Sequence, residues 1–332
     1  MPAFPRPRLG FGPRTPASPG PVGPEEPDAP QVDVVESDGL RWVNVGRPGR
    51  AELAWLQEHY DFHALDYEDV LSRNQRPKVD VYDDYLFVVL HFPDYDKTVG
   101  RLNALELDVF VGPDFVITIP NRPLRTIDYL FSRVESRPEE REKHFARGPG
   151  YLLYRIVDEC VDASFPMLRK IGNKLEQLEE DIFEGRSKEI VRDISNVKQE
   201  IINFRKIVRP QRTALKDLNA ARRYLVEEEE LYFDDINDAN ERIWDMLENF
   251  KEVSEALESS NESVLAHQQS GSLNVLTAMS VIVLPLTLIA SIWGMNVHVP
   301  GQDDATWFFA LVGTMVAMLG LMVWWFRRQG LL

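Results

Sequence analysis

Asn274, Thr277, Ser280, Thr287 and Ser291, with Leu284 among them, step by three or four residues along a stretch that carries no charge. On a helix that spacing gathers them on one face. Within lipid such a face turns toward protein or water and away from acyl chains. A plainer use of the hydroxyls is to bond back to the preceding helical turn. The series ends in Gly294-Met295-Asn296, and as a set it reads as the lining of a narrow polar path.

The elements that must hold this face are a pair of membrane spans. No Asp, Glu, Lys or Arg occurs from Ser263 to Gln302. The apolar core Val275 to Trp293 has 19 residues, enough to cross the roughly 30 Å hydrocarbon layer as a helix. A second uncharged run, Trp307 to Phe326, is closed by Arg327 and Arg328. The loop between them, 297–306, holds Asp303 and Asp304 and no Lys or Arg. The positive-inside rule therefore sets the loop outside, with the large N-terminal part and the 327–332 tail in the cytoplasm. The expected location is the cell (inner) membrane, crossed twice as a hairpin.

Upstream, residues 31–147 mix short strands (Arg41–Val45, two around Asp83-Asp84, and a hairpin across Gly112-Pro113-Asp114) with helices over 50–60 and 64–71. That pattern predicts an α+β domain with a largely antiparallel sheet. Residues 148–272 turn helical. A helix over 151–183 should kink at Pro166, and a return helix should end or kink at Pro210. The longest helix carries Ile236, Ile243, Phe250, Leu257 and Val264 seven apart, with Ala239, Met246, Val253 and Ser260 in the complementary positions. This predicts one rod from about Asp235 to Trp293 that packs along its length; a break at 267–272 is the alternative. One hairpin cannot enclose a pore, so a path implies a cyclic oligomer.

Pro285-Leu286-Thr287, then Gly294-Met295-Asn296, a brief loop, a second span and a basic tail resemble the CorA-type family of divalent-cation channels. The resemblance covers about residues 31–332 and is sharpest at Pro285–Asn296. It implies a homopentamer whose pore is lined by five copies of the 273–296 span. It also implies Mg²⁺ as both substrate and regulatory ligand, with Co²⁺ or Ni²⁺ as further passengers and no resident cofactor. Mg²⁺ holds its water shell tightly, so a ring of Asn296 amide oxygens can receive the hydrated ion at the outer mouth. Asn is also an ordinary cap for a helix C-terminus. Thr287 could form a deeper ring, and Leu284 and Leu276 apolar constrictions that close by dewetting. In the family, carboxylates between adjacent cytoplasmic domains bind Mg²⁺ and hold the channel shut. Asp235 and Asp96 resemble such a pair, although an acidic helix start and a turn aspartate explain them equally simply. Trp293 stands where many relatives have Tyr, and the loop lacks their Met-Pro-Glu-Leu. With His298 present beside Asp303 and Asp304, the zinc-transporting branch stays open.

The acidic balance, 53 Asp plus Glu against 37 Lys plus Arg, argues against nucleic acid as a partner. One cysteine excludes an internal disulfide framework and a Cys-based zinc cluster. No nucleotide-binding Gly-rich loop and no His-Glu-x-x-His is present, so the sequence does not read as an enzyme. Residues 1–30 are about a third proline and lack the apolar core of a signal peptide; they are expected to be disordered. The other readings are a membrane-anchored scaffold and a metal sensor without transport. A mere anchor predicts spans without a polar stripe.

Overall fold

A computed structural model of the chain describes residues 29–72, 75–96, 101–184, 187–221, 224, 230–295 and 305–329. Asn296, His298, Asp303 and Asp304, the turn at Gly185-Arg186 and the expectation of disorder over residues 1–28 all lie outside the described residues. The chain forms two compact units. The first takes the described residues up to Leu90 together with Leu105–Ile156. The second takes His91–Ala104, Val157–Ala220 and the chain from Glu230 on.

The sheet has six strands in the order β1-β2-β6-β5-β4-β3: β1 Val32–Ser37, β2 Leu40–Val45, β3 Lys78–Val81, β4 Leu86–Asp96, β5 Arg101–Val111 and β6 Phe115–Pro120. Strands β1–β2, β3–β4 and β5–β6 pair antiparallel, and β2 pairs parallel with β6. The sequence reading placed the hairpins correctly but missed edge strand β1. Its turn, Asp38-Gly39, takes positive φ at both residues (51° and 80°), the conformation of a two-residue hairpin. At the β5–β6 turn, Gly112 donates its N–H to Phe115 O at 2.9 Å, and the Phe115 ring lies where a Cβ would stand. Helices α1 Arg50–His59 and α2 Ala64–Ser72 contribute Leu56, Tyr67 and Val70 to a core with Phe87, Phe110 and Ile117. Two further helices, α3 Arg125–Ser136 and α4 Pro138–Phe145, were not anticipated.

The predicted helix over 151–183 is two helices, α5 Pro149–Asp162 and α6 Phe165–Phe183. Pro166 lies in the first turn of α6, where its missing N–H costs nothing; it starts a helix and does not kink one. Pro210 does not end the return helix, since α7 runs through it from Ser187 to Ala221. The rod is continuous, as expected: α8 spans Glu230–Trp293, 64 residues, or roughly 95 Å at 1.5 Å per residue.

The heptad seam needs one correction. Ile236, Ile243 and Leu257 are buried as expected, but their buried complements are Phe233, Asn240, Leu247, Ser254 and Asn261. Of the predicted complementary set only Ala239 is buried, while Met246 and Val253 are intermediate and Ser260 exposed. The seam therefore includes polar residues that a search for apolar periodicity passes over. Against this seam α6 packs closely: a Cβ on Gly172 would come 3.3 Å from Phe250 Cζ. Helix α7 runs antiparallel to α8, tied by Lys198–Glu258 (2.7 Å), Arg205–Glu248, Arg212–Glu241 and Asn219–Asp234 (2.7 Å). The α7 members are seven residues apart, so they occupy one stripe.

Candidate functional site

Helices α8 and α9 (Ala305–Arg328) are both long and apolar enough to cross a membrane. Their contact is a small apolar cluster of Ala278, Ile282 and Leu286 from α8 with Met322, Val323 and Phe326 from α9. At 100° per residue, this face of α8 lies roughly 180° from the face carrying Thr277, Ser280, Leu284, Thr287 and Ser291. The polar stripe therefore points directly away from the partner helix of its own hairpin. All five of those residues are exposed in the single chain, as is Leu276. Asn274 belongs to the same helix by register.

Two stripe hydroxyls do bond back to the preceding turn, as the plainer reading held. Ser280 Oγ donates to Leu276 O at 2.9 Å, and Thr287 Oγ1 donates to Val283 O (2.9 Å) and Leu284 O (2.8 Å). This fixes their polarity without removing it. A hydroxyl whose proton is committed to a carbonyl presents only lone pairs outward. Acceptors are what the water hydrogens around a cation require.

The helix ends as its sequence suggests. Gly294 N–H donates to Ala290 O at 2.9 Å, and a Cβ there would sit 3.1 Å from the same oxygen, so the last turn closes best around glycine. Met295 follows, 55 % exposed. Asn296, the residue on which the outer mouth depends, lies beyond the described residues.

Asp235 stands exposed near the start of α8, where Asp238, Glu241 and Asp245 continue its stripe along one shallow depression. Asp96 is the last residue of β4 and half-buried. Among the described residues no three His, Cys, Asp or Glu side chains converge to hold a metal ion. One copy alone therefore does not assemble a multidentate acidic site from them.

Sequence reasoning missed a polar cluster in the first unit. Asp66 accepts hydrogen bonds from Tyr85 Oη (2.7 Å) and Tyr82 Oη (2.8 Å). Lys78 Nζ bridges Asp69 (2.8 Å) and Asp80 (2.5 Å). Burial opposes the charge on Lys78, but these hydrogen bonds outweigh it and raise its pKa. Behind them lies Asp108 of β5, 2 % exposed, its Oδ1 without a hydrogen-bond partner. Burial raises the Asp108 pKa well above the usual carboxylate range, and Glu106 and Asp69 push it further. The alternation Glu106, Asp108, Phe110 on one strand face was the available signal; it puts two carboxylates on the side facing the aromatic core.

Comparison with known proteins agrees with this architecture. The family model for CorA-like Mg²⁺ transporter protein matches residues 37–328. The chain is 29% identical over 292 residues to the cobalt/magnesium transport protein CorA of Thermotoga maritima, covering 87% of this chain and 82% of that protein. It is likewise 29% identical over 291 residues to the putative metal ion transporter YfjQ of Bacillus subtilis, covering 87% and 89%. The complete structure of the CorA magnesium transporter from Methanocaldococcus jannaschii shares the fold. Its TM-score is 0.77 at 22% identity, covering 90% of this chain and 93% of that one. With the match spanning sheet, rod and hairpin alike, the chain is a membrane transporter that belongs to the CorA-like Mg²⁺ transporter family.

Proposed function

We propose that five copies of this chain form a channel in the cell membrane, with both termini cytoplasmic, through which Mg²⁺ passes down its electrochemical gradient. Co²⁺ and Ni²⁺ are further passengers. The observation that carries this reading is the polar face of α8, set opposite the α9 contact and exposed along its length. Five such faces around an axis make a lined path; an anchor would have no use for one. The names of relatives, a cobalt/magnesium transport protein among them, favour Mg²⁺ and Co²⁺.

In this mechanism the ion keeps its water. A ring of Asn296 carbonyl oxygens takes the hydrated dication at the outer mouth, where the loop with His298, Asp303 and Asp304 gathers cations. Gly294 and Met295 shape the helix end beneath it. Thr287, Ser280, Thr277 and Asn274 then accept hydrogen bonds from the bound waters, while Leu284 and Leu276 narrow the path between them. No carboxylate lies in the span, so selection rests on hydration and size. Inside the cell, Asp235 of one copy and Asp96 of the next would together hold a regulatory Mg²⁺ that keeps the rods closed. A continuous α8 carries that event to the pore.

The test is ion entry into liposomes that contain the purified protein and a Mg²⁺-sensitive dye, with a parallel set carrying a Zn²⁺ dye. Mg²⁺ entry that internal Mg²⁺ suppresses supports the whole reading. The Asp96→Asn, Asp235→Asn double variant should conduct while losing that suppression. Zn²⁺ entry without Mg²⁺ entry would move the chain to the zinc-transporting branch; entry of neither ion would contradict transport.

A further inference from the structure

A second charged site lies far from the span, between α7 and α8. Ile202, Arg205, Lys206 and Arg209 wall an open pocket of about 190 Å³, and the Trp244 indole completes it. The Arg205 and Arg212 guanidinium carbons each lie 5.1 Å from the indole centroid. Those two cations are fixed in place. Arg205 pairs with Glu248, and Arg212 meets Glu241 through both Nε (3.1 Å) and Nη2. Lys216 also reaches Glu241, at 3.4 Å.

Both carboxylates are thus engaged, and the cations still outnumber them. The pocket wall holds Arg205, Lys206 and Arg209, and of these Arg205 alone pairs with a carboxylate among the described residues, Glu248, in a chain of net charge −16. Lys206 and Arg209 are exposed and, among the described residues, pair with no carboxylate. Lys206 and Arg209 stand one helical turn apart, about 5–6 Å at Cβ. An anion that engages both must present oxygens at two places. A carboxylate has only two oxygens to share between them, whereas a di- or triphosphate brings more acceptors and more charge to the same pair. Planar guanidinium groups are well matched to phosphate oxygens.

We propose that this pocket binds a polyphosphate anion. Lys206 and Arg209 hold its phosphate oxygens beside the Trp244 indole. Free polyphosphate and nucleoside triphosphates share this chemistry. They differ in the base, which would rest against Ile202 and the accessible part of Trp244. The site is independent of the transport reading, since it uses no residue of the span.

The test is calorimetric titration of the full-length protein in neutral-lipid nanodiscs with tripolyphosphate and with ATP. Physiological salt limits diffuse attraction, and EDTA prevents divalent cations from bridging. Wild type should bind saturably, and Lys206→Gln with Arg209→Gln should weaken binding at least about tenfold, as loss of two charge-assisted hydrogen bonds implies. Neither side chain is buried, so this variant folds. ATP binding tighter than tripolyphosphate, with the gain lost in Trp244→Leu, assigns the site to nucleotides; equal affinities assign it to free polyphosphate. The control pair Lys170→Gln, Lys174→Gln removes two α6 lysines that line another pocket. If it weakens binding equally, the attraction is diffuse and the proposal falls. Absence of saturable binding at low millimolar ligand, or no change in the Lys206/Arg209 variant, also overturns it.

Discussion

Asp108→Asn should stabilise this protein, and increasingly so as pH rises. The wild-type carboxyl is 2 % exposed, its Oδ1 has no hydrogen-bond partner, and Glu106 and Asp69 add like charge. Lys78 is the opposing cation, but its ammonium is already shared by Asp69 and Asp80. Burial therefore raises the folded-state pKa of Asp108 above its unfolded value. A group raised in this way stabilises fully below the unfolded pKa and loses that contribution as pH climbs toward the folded value. Above the unfolded pKa, the loss runs at about 1.4 kcal/mol per pH unit until the folded pKa is reached. Asparagine has the same shape and no proton to lose. Near pH 4 the two proteins should be about equally stable. At pH 8 the variant should lead by about 2 kcal/mol, near the middle of the range for a buried, unsatisfied polar group. The assay is intrinsic-fluorescence thermal unfolding of both proteins in one detergent from pH 4 to 8, a window that begins where the loss begins. The apparent midpoint of wild type should fall with pH by several degrees more than that of the variant. Parallel curves, or a wild type that gains on the variant at alkaline pH, would refute the assignment.

Two further outcomes are expected. Lys78→Met removes the cation from between Asp69 and Asp80 while Glu106 and Asp108 stay buried behind it. It should destabilise by about 1–3 kcal/mol, read as a lower unfolding midpoint at pH 7.5 that recovers partly in Lys78→Met, Asp108→Asn. Gly172→Leu should force α6 off α8, because even a Cβ lies 3.3 Å from Phe250 Cζ; Gly172→Ala needs only a small shift. Accelerated proteolysis within α6 in the leucine variant, but not the alanine one, is the expected readout.

The polar face of the span was legible because a polar residue every third or fourth position stands out against an uncharged background. The structure adds which way that face points, a fact that depends on Ala278, Ile282 and Phe326 meeting across the hairpin. The rod was legible through Ile236, Ile243 and Leu257, whereas Asn240, Ser254 and Asn261 hid the other half of its seam by being polar and buried at once. Strand β1 was missed because an edge strand with Val34 exposed looks like an acidic linker. The α7–α8 ties at 198, 205, 212 and 219 repeat every seven residues, but a charge repeat says nothing of its partner until two helices are aligned. Pro166 misled because a proline inside an amphipathic run suits a kink and a fresh helix start equally well.

Conduction of a hydrated dication along the α8 polar face and its Gly294-Met295-Asn296 end is the property to test. Its most direct measurement is Mg²⁺ entry into dye-loaded liposomes by wild type and by Asn296→Ala, reconstituted at equal density and matched for oligomeric size. Rapid entry through wild type that the alanine variant abolishes is the expected result. Equal entry through both would contradict conduction by this route.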